Sequence, residues 1–346
     1  MAGKRQHFIP RFLQASFASH TNSKEIFTWV YPKGREPYNT NIINVGVEGF
    51  FFEENGDSSV DDSITAAEGK FAPLVEFLRS NDGQILSDVD SISELLAHLE
   101  VRTRHIRQSF LASGKWLIDE FVRFMGNTEK FVPHMLKRCL KEPQIFLKSM
   151  NDEFDKLGIP HEARPAIIAK FAPHFGAIMV SKIEEFSLMA QVFKEILPLL
   201  LEKSAKSGHI KALRTGIAPP VKVETYSALK YEVAKVDNNK LPLGDSLVIF
   251  QGDGDYGFKA FLDLGVPLIA VFLPLSPNSI LVGRRTGQPI DLQSIPNAIA
   301  KCSRDFFITI EKSSYYSNLG INIGEWASIL SEKQMEAILV ECLNDE

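Results

Sequence analysis

The hydrophobic pattern changes period twice along the chain. Up to about residue 60 it is extended: Ile26-Phe27-Thr28-Trp29-Val30 is a β-branched and aromatic run, closed by the turn residues Tyr31-Pro32-Lys33-Gly34. Asn41–Val45 and Gly49–Glu53 are two further short strand candidates, and Asn55-Gly56-Asp57 is a turn signal. The period then becomes helical. Ser63 can cap a helix on which Ile64, Ala67, Phe71, Leu74, Val75 and Leu78 form one stripe, with Pro73 inside it as a candidate kink. A second helix is expected over 91–112, on Ile92, Leu95, Leu96, Leu99, Ile106 and Phe110. Helical spacing continues through Lys115–Met125, Val132–Leu140, Pro143–Leu157, Pro165–Phe171 and Ile178–Lys203. Beyond Gly208 the β character returns, in Val221–Tyr226, Ser246–Phe250, Leu268–Leu273, Ser279–Val282 and Phe306–Ile310, and Glu325–Glu341 reads as a closing helix.

Two β portions flanking a helical stretch predict an α+β fold. The N-terminal strands are too few and short to stand alone, so they are expected to join the C-terminal ones in a mixed β-sheet. The helical block over 62–212 is then a large insert within a single domain over 1–346. The run Leu268–Leu273 is apolar throughout, as in strands covered on both faces.

With 346 residues, 45% of them apolar, the chain is long enough to bury a sizeable core. A formal net charge of −5 speaks against a strongly basic nucleic-acid or membrane binder. Local basic stretches remain, at Lys203, Lys206, His209, Lys211 and Arg214 and at Lys137, Arg138 and Lys141. These could follow the phosphates of a nucleic acid or nucleotide, or be solvated helix ends. Cys139, Cys302 and Cys342 are widely spaced and form no CxxC, which argues against a disulfide framework or zinc knuckle. No apolar run approaches a membrane span, and the basic N-terminus lacks a signal-peptide core. A cytoplasmic setting is expected.

Few residues stand out chemically. His7 lies in an apolar N-terminal segment and could be a base, a metal ligand or a hydrogen-bonded core residue. Glu68 falls about 40° from Ile64 on the helical wheel, inside the apolar stripe. A carboxylate there needs a partner, because burying it alone is costly. Arg102, on the flank of the next helix, is the natural candidate. Such a pair either pins two helices or lines a polar pocket. Asp245 follows Gly244 at the head of an apolar strand, where it could serve a site or cap a turn. The acidic cluster of Glu53, Glu54, Asp57, Asp61 and Asp62 could hold a divalent cation beside a histidine or serve helix electrostatics and solubility, the second being preferred. Gln251–Gly257 lacks the lysine and hydroxyl of a phosphate cradle and reads as a hairpin tip.

Gln6-His7-Phe8-Ile9-Pro10-Arg11-Phe12-Leu13, followed by Phe17, resembles the Gln-His-Tyr-Val-Pro opening motif of a bacterial family, domain of unknown function 4238. Further matches follow in the same order. Glu68 corresponds to an acidic residue on a helix, Arg102-Thr103 to an Arg-Thr step, and Leu243-Gly244-Asp245-Ser246 to a Ser-Asp-Asn-Pro turn. In that turn Ser246 and Leu247 stand where the family has Asn and Pro. Pro274-Leu275-Ser276-Pro277 resembles a further segment, and Asn297 an asparagine before the last strand. The resemblance carries no activity, but it selects His7, Glu68, Arg102, Asp245 and Asn297 as site residues.

The reading these residues suggest is a metal-assisted hydrolase of phosphodiesters, resembling a nuclease, that uses magnesium or manganese. His7 would act as base or ligand, Asp245 and Glu68 would hold the cation or orient water, and Arg102 would stabilise charge on phosphate. The alternative is a non-enzymatic binding module, in bacterial defence or a toxin–antitoxin pair. A nucleotide transferase using Arg102 is a third reading.

Overall fold

Trp29 sits opposite Thr309 in the computed structural model, and this pairing joins the two ends of the sequence in one sheet. The structure describes residues 5–81, 83, 85–181, 183–236, 240–262, 265–285 and 289–344. In chain order the elements begin with β1 (Arg5–His7), α1 (Arg11–Gln14), β2 (His20–Asn22), β3 (Glu25–Pro32), β4 (Tyr38–Asn41) and β5 (Val47–Gly49). The helical insert follows: α2 (Ser59–Ser80), α3 (Val89–Arg102), α4 (Arg104–Gly126), α5 (Thr128–Lys141), α6 (Pro143–Lys156), α7 (Arg164–Phe171), α8 (Phe175–Ser181), α9 (Ile183–Thr215) and α10 (Pro220–Ser227). Then come β6 (Lys230–Lys235), β7 (Leu243–Gly244), β8 (Ile249–Gly252), β9 (Phe258–Lys259), β10 (Leu268–Ser276), β11 (Ser279–Arg284), α11 (Ile295–Cys302), β12 (Phe306–Thr309), α12 (Ser314–Gly320) and α13 (Glu332–Asn344). The fold is α+β, with terminal strands in sheets and a large central helical insert.

Among the described residues the strands are shared among three sheets. One carries the order β2-β3-β12-β7, with β4 also on β3, and so mixes N- and C-terminal strands. A second, β6-β11-β10-β8-β9, is C-terminal throughout, and β1 pairs with β5. All of these pairings are antiparallel. The apolar run in β10 has the expected cause. Val271 and Leu273 pack into the core with α2 and α3, while Ala270 and Phe272 pack with α11 on the other face.

Several elements depart from the sequence pattern: Asn41–Val45 holds a short 3-10 turn over Ile42–Asn44, the chain turns after Gly49 where a strand to Glu53 is expected, and the closing helix starts at Glu332. Three further departures have a clear local reason. α2 runs unbroken through Pro73, which lies on the solvent face, so the missing amide leaves only the exposed Gly69 carbonyl to water. The helix expected over 91–112 breaks at Thr103, whose backbone is extended and whose hydroxyl donates to the Glu100 carbonyl. Val221–Tyr226 is helical in α10, not a strand. Pro220 presets the first helical turn, and Lys222 and Tyr226, four residues apart, both reach Glu100. The Gln251–Gly257 segment does form a hairpin tip, with Gln251 opposite Phe258.

The chain divides into two compact units. The first comprises Met1–Phe110 and Ser204–Leu330 and holds all three sheets; the second comprises Leu111–Lys203 and Ser331–Glu346. The first has the large core, which joins Phe8, Ile9, Leu13 and Phe17 to Phe71, Val75, Leu95 and Leu96. The second has its own small core around Met125, Phe131 and Ala190, with Phe186 and Phe193 packed against it.

Candidate functional site

The N-terminal motif is held to the segment before β5 by backbone hydrogen bonds. The amides of Phe8 and Ile9 donate to the Gly46 carbonyl at 2.8 and 3.3 Å. Gly46 has φ of +60°, and a Cβ there would lie 2.6 Å from that of Ile9, so this close approach requires glycine. Gln14 donates to the carbonyls of Ile9 and Val45, and Gln6 accepts from the Phe52 amide at 2.6 Å. Much of the motif thus ties a short strand and a one-turn helix into the core.

This anchoring places His7 next to Arg102 and Glu68. Arg102, at the C-terminal end of α3, is 1% exposed. It donates to the His7 carbonyl at 2.7 Å and pairs with Glu68 at 2.7 Å. Its other terminal nitrogen lies 3.2 Å from His98 Nε2. An arginine only donates, so His98 Nε2 accepts and its Nδ1 donates to the Ile217 carbonyl. Burial pushes the His98 pKa down to about 3, with Arg102 adding to the effect. Burial also lowers the Arg102 pKa, opposed by Glu68 and Asp61, and raises that of Asp61. The ring of His7 is half-buried, and its Nδ1 lies 3.2 Å from the Val45 carbonyl. Nδ1 therefore carries the proton and Nε2 the lone pair. Burial first, then Arg11 and Arg102, pull the His7 pKa below its ordinary value.

Asp245 and Asn297 are engaged elsewhere. Asp245 accepts from the amides of Arg304 and Asp305, both at 2.7 Å, and from that of Phe306 at 3.3 Å. It thereby fastens the entry to β12. Burial pushes its pKa up to about 7, against those three amides, which favour the charged form. Asn297, on α11, accepts from the Asn322 side chain at 3.0 Å. Among the described residues no hydrogen bond or ion pair links either of them directly to His7, Glu68 or Arg102. Nor are three or more His, Cys, Asp or Glu side chains grouped to hold a metal ion.

A cavity of about 400 Å³ opens beside the start of α4, in the first unit. Its wall is almost wholly apolar, from Val101, Ile106, Phe110, Ala205, Ala212 and Phe261, with Gly208 leaving open space. Buried polar groups lie at its margin. Arg107 donates to the Phe51 carbonyl at 2.9 Å, stacks 4.1 Å from the Phe51 ring and lies 3.2 Å from His209 Nδ1, while its Nε has no partner among the described residues. His209 Nε2 in turn donates to the Val101 carbonyl. Lys222 pairs with the buried Glu100 at 2.8 Å and sits over the Phe261 ring. Glu100 also accepts from Tyr226 and from the Leu262 amide. The sequence marks this cavity only weakly. Its one signal was the row of small residues Ala205, Gly208 and Ala212, which recur on one face of α9 and leave room there. His209 belongs to a basic stretch in sequence, yet it turns inward, and Arg214 pairs with Asp57 at 2.6 Å.

The model of a family described as protein of unknown function, DUF4238, matches residues 5–200, and the chain belongs to that family. No curated protein and no solved structure matches the chain. Among the described residues no helix is long and apolar enough to cross a membrane.

Proposed function

We propose that the chain is a binding module that takes up a small apolar molecule in the cavity beside α4. The carrying observation is the cavity itself: about 400 Å³, apolar walls, and a few buried polar groups at the margin. That is the usual make-up of a small-molecule site, and it would accommodate on the order of 10–20 non-hydrogen atoms. The engagement of Asp245, Arg102 and Asn297 in hydrogen bonds supports the same reading, since groups so held are positioned to fix the fold. Gly208→Leu tests it, because Gly208 lines the cavity and a Cβ there meets nothing within 4 Å, which leaves room for a longer side chain to occupy the space. The neutral dye N-phenyl-1-naphthylamine should brighten on binding the native protein. Its affinity should fall at least about tenfold in the variant. Equal binding by the two proteins, or none by either, would remove the cavity from the function.

One observation favours a second reading, metal-assisted phosphodiester hydrolysis with magnesium or manganese. His7 has its Nε2 lone pair available and a pKa lowered by burial, which suits a base at neutral pH. Cleavage of RNA, DNA or a phosphodiester dye that is lost in His7→Ala would support it. No turnover on any of these with either metal would end it.

A further inference from the structure

α9 has three faces. At about 100° per residue, Phe186, Ala190, Phe193 and Leu197 fall within one arc, and the first three pack into the core of the second unit. A polar arc carries Gln191, Lys194, Glu195 and Glu202. The third arc, about 120° wide, presents Leu188, Met189, Val192, Ile196, Leu199 and Leu200 to solvent, between 40% and 68% exposed. Such a contiguous apolar face on a soluble helix calls for a partner.

The order of residues along this face identifies the partner. Glu185, Met189, Val192, Ile196, Leu199 and Lys203 are spaced four, three, four, three and four apart, which is the heptad seam of a coiled coil. The seam is also symmetric about position 194. Val192 and Ile196 lie two residues either side of it, Met189 and Leu199 five, Leu188 and Leu200 six, and Glu185 and Lys203 nine. A second α9 laid antiparallel across the first, on a two-fold axis at position 194, therefore sets Val192 beside Ile196, Met189 beside Leu199 and Leu188 beside Leu200 in every layer. At each end, about 14 Å from the axis, the exposed Glu185 of one copy meets the exposed Lys203 of the other. A parallel pair in register would instead set Glu185 against Glu185 and Lys203 against Lys203.

We propose that two copies of this chain pair through the outward face of α9, antiparallel and centred on position 194. The six apolar residues expose roughly 500 Å² per copy, so pairing buries on the order of 1,000 Å², near the lower bound of specific interfaces. The dimer is accordingly weak and concentration-dependent, and it is isologous, as closed two-fold pairs are.

Sedimentation velocity on the full chain from about 1 to 300 µM tests this directly. A monomer–dimer equilibrium is expected in that range. Val192→Glu combined with Leu199→Glu should leave a monomer throughout, with the far-ultraviolet circular dichroism unchanged. Lys203→Glu, an exposed change that keeps the fold, should weaken the dimer about tenfold. Adding Glu185→Lys to it should restore the original affinity, because both end pairs are then reversed together. A monomer at all concentrations would overturn the proposal. So would a dimer indifferent to the Glu substitutions, or a charge-swapped double variant no tighter than Lys203→Glu alone.

Discussion

Arg102 gives up nearly all of its hydration to reach the His7 carbonyl, Glu68 and His98 together. Glu68 keeps 30% of its side chain in water, so the two partners are unequal. Glu68→Gln keeps an acceptor beside the guanidinium, which also retains its two other contacts. Removing Arg102 leaves the His7 carbonyl and His98 Nε2 without their donor and opens a void under α3. Arg102→Ala should therefore cost about 3–5 kcal/mol, and Glu68→Gln about 1 kcal/mol. Urea unfolding of the two variants checks the ranking, and equal midpoints would show that the pair is not what holds this corner. The pair was legible in the sequence because a carboxylate on an apolar stripe demands a counter-charge. The readings of Asp245 could not be separated there: strand mouth and turn cap have the same local pattern, and only the three amides brought up by the entry to β12 decide for the cap. His209 was obscured by its basic neighbours, because helical phase and not local charge turns it toward Arg107.

At the level of elements, the sequence is most legible where one physical cause acts alone. β10 reads as a doubly covered strand because both of its faces are apolar, and α2 reads as a helix because its stripe is continuous. Legibility fails where a distant contact outweighs local preference. Val221, Val223 and Thr225 alternate as in a strand, yet Lys222 and Tyr226 meet the same buried carboxylate only if the backbone is helical. Thr103 carries no breaking signal of the strength of proline or glycine, and its hydroxyl competes for the Glu100 carbonyl. That break also separates two roles. Arg102 turns to the N-terminal motif, while Arg104 and Arg107, on the following helix, both face Glu48 of β5. The site suggested by the family motif and the cavity beside α4 are therefore neighbours along the chain, Arg102 serving the first and Arg107, one helix further on, lying at the margin of the second.

For the molecule as a whole, β3 and β12 close the first unit across most of the chain length, and the histidines inside that unit set its response to acid. His98 is pushed down to about 3, and His105 and His209 to about 4, in each case first by burial. All three are neutral in the folded state at neutral pH, and each would take up a proton near its ordinary value of 6.5 once unfolded. The unfolded state thus binds more protons between about pH 6.5 and 4, so the stability they contribute is present above 6.5 and is lost as pH falls. Each costs about 2 kcal/mol between pH 7 and 5. Asp245 acts in the opposite sense. Its folded value, raised to about 7, lets the native state hold a proton that the unfolded state releases until about pH 4, so acidification from 7 to 5 strengthens the fold by about 2 kcal/mol. Three histidines against one carboxyl leave a net loss of roughly 3–4 kcal/mol over those two units. The urea midpoint should therefore fall steadily from pH 7 to 5. The fall should be steeper in Asp245→Asn, which removes the only opposing group among these four, and shallower in His98→Gln. A midpoint that stays level or rises toward pH 5 would mean that the buried imidazoles do not control the acid stability of this unit.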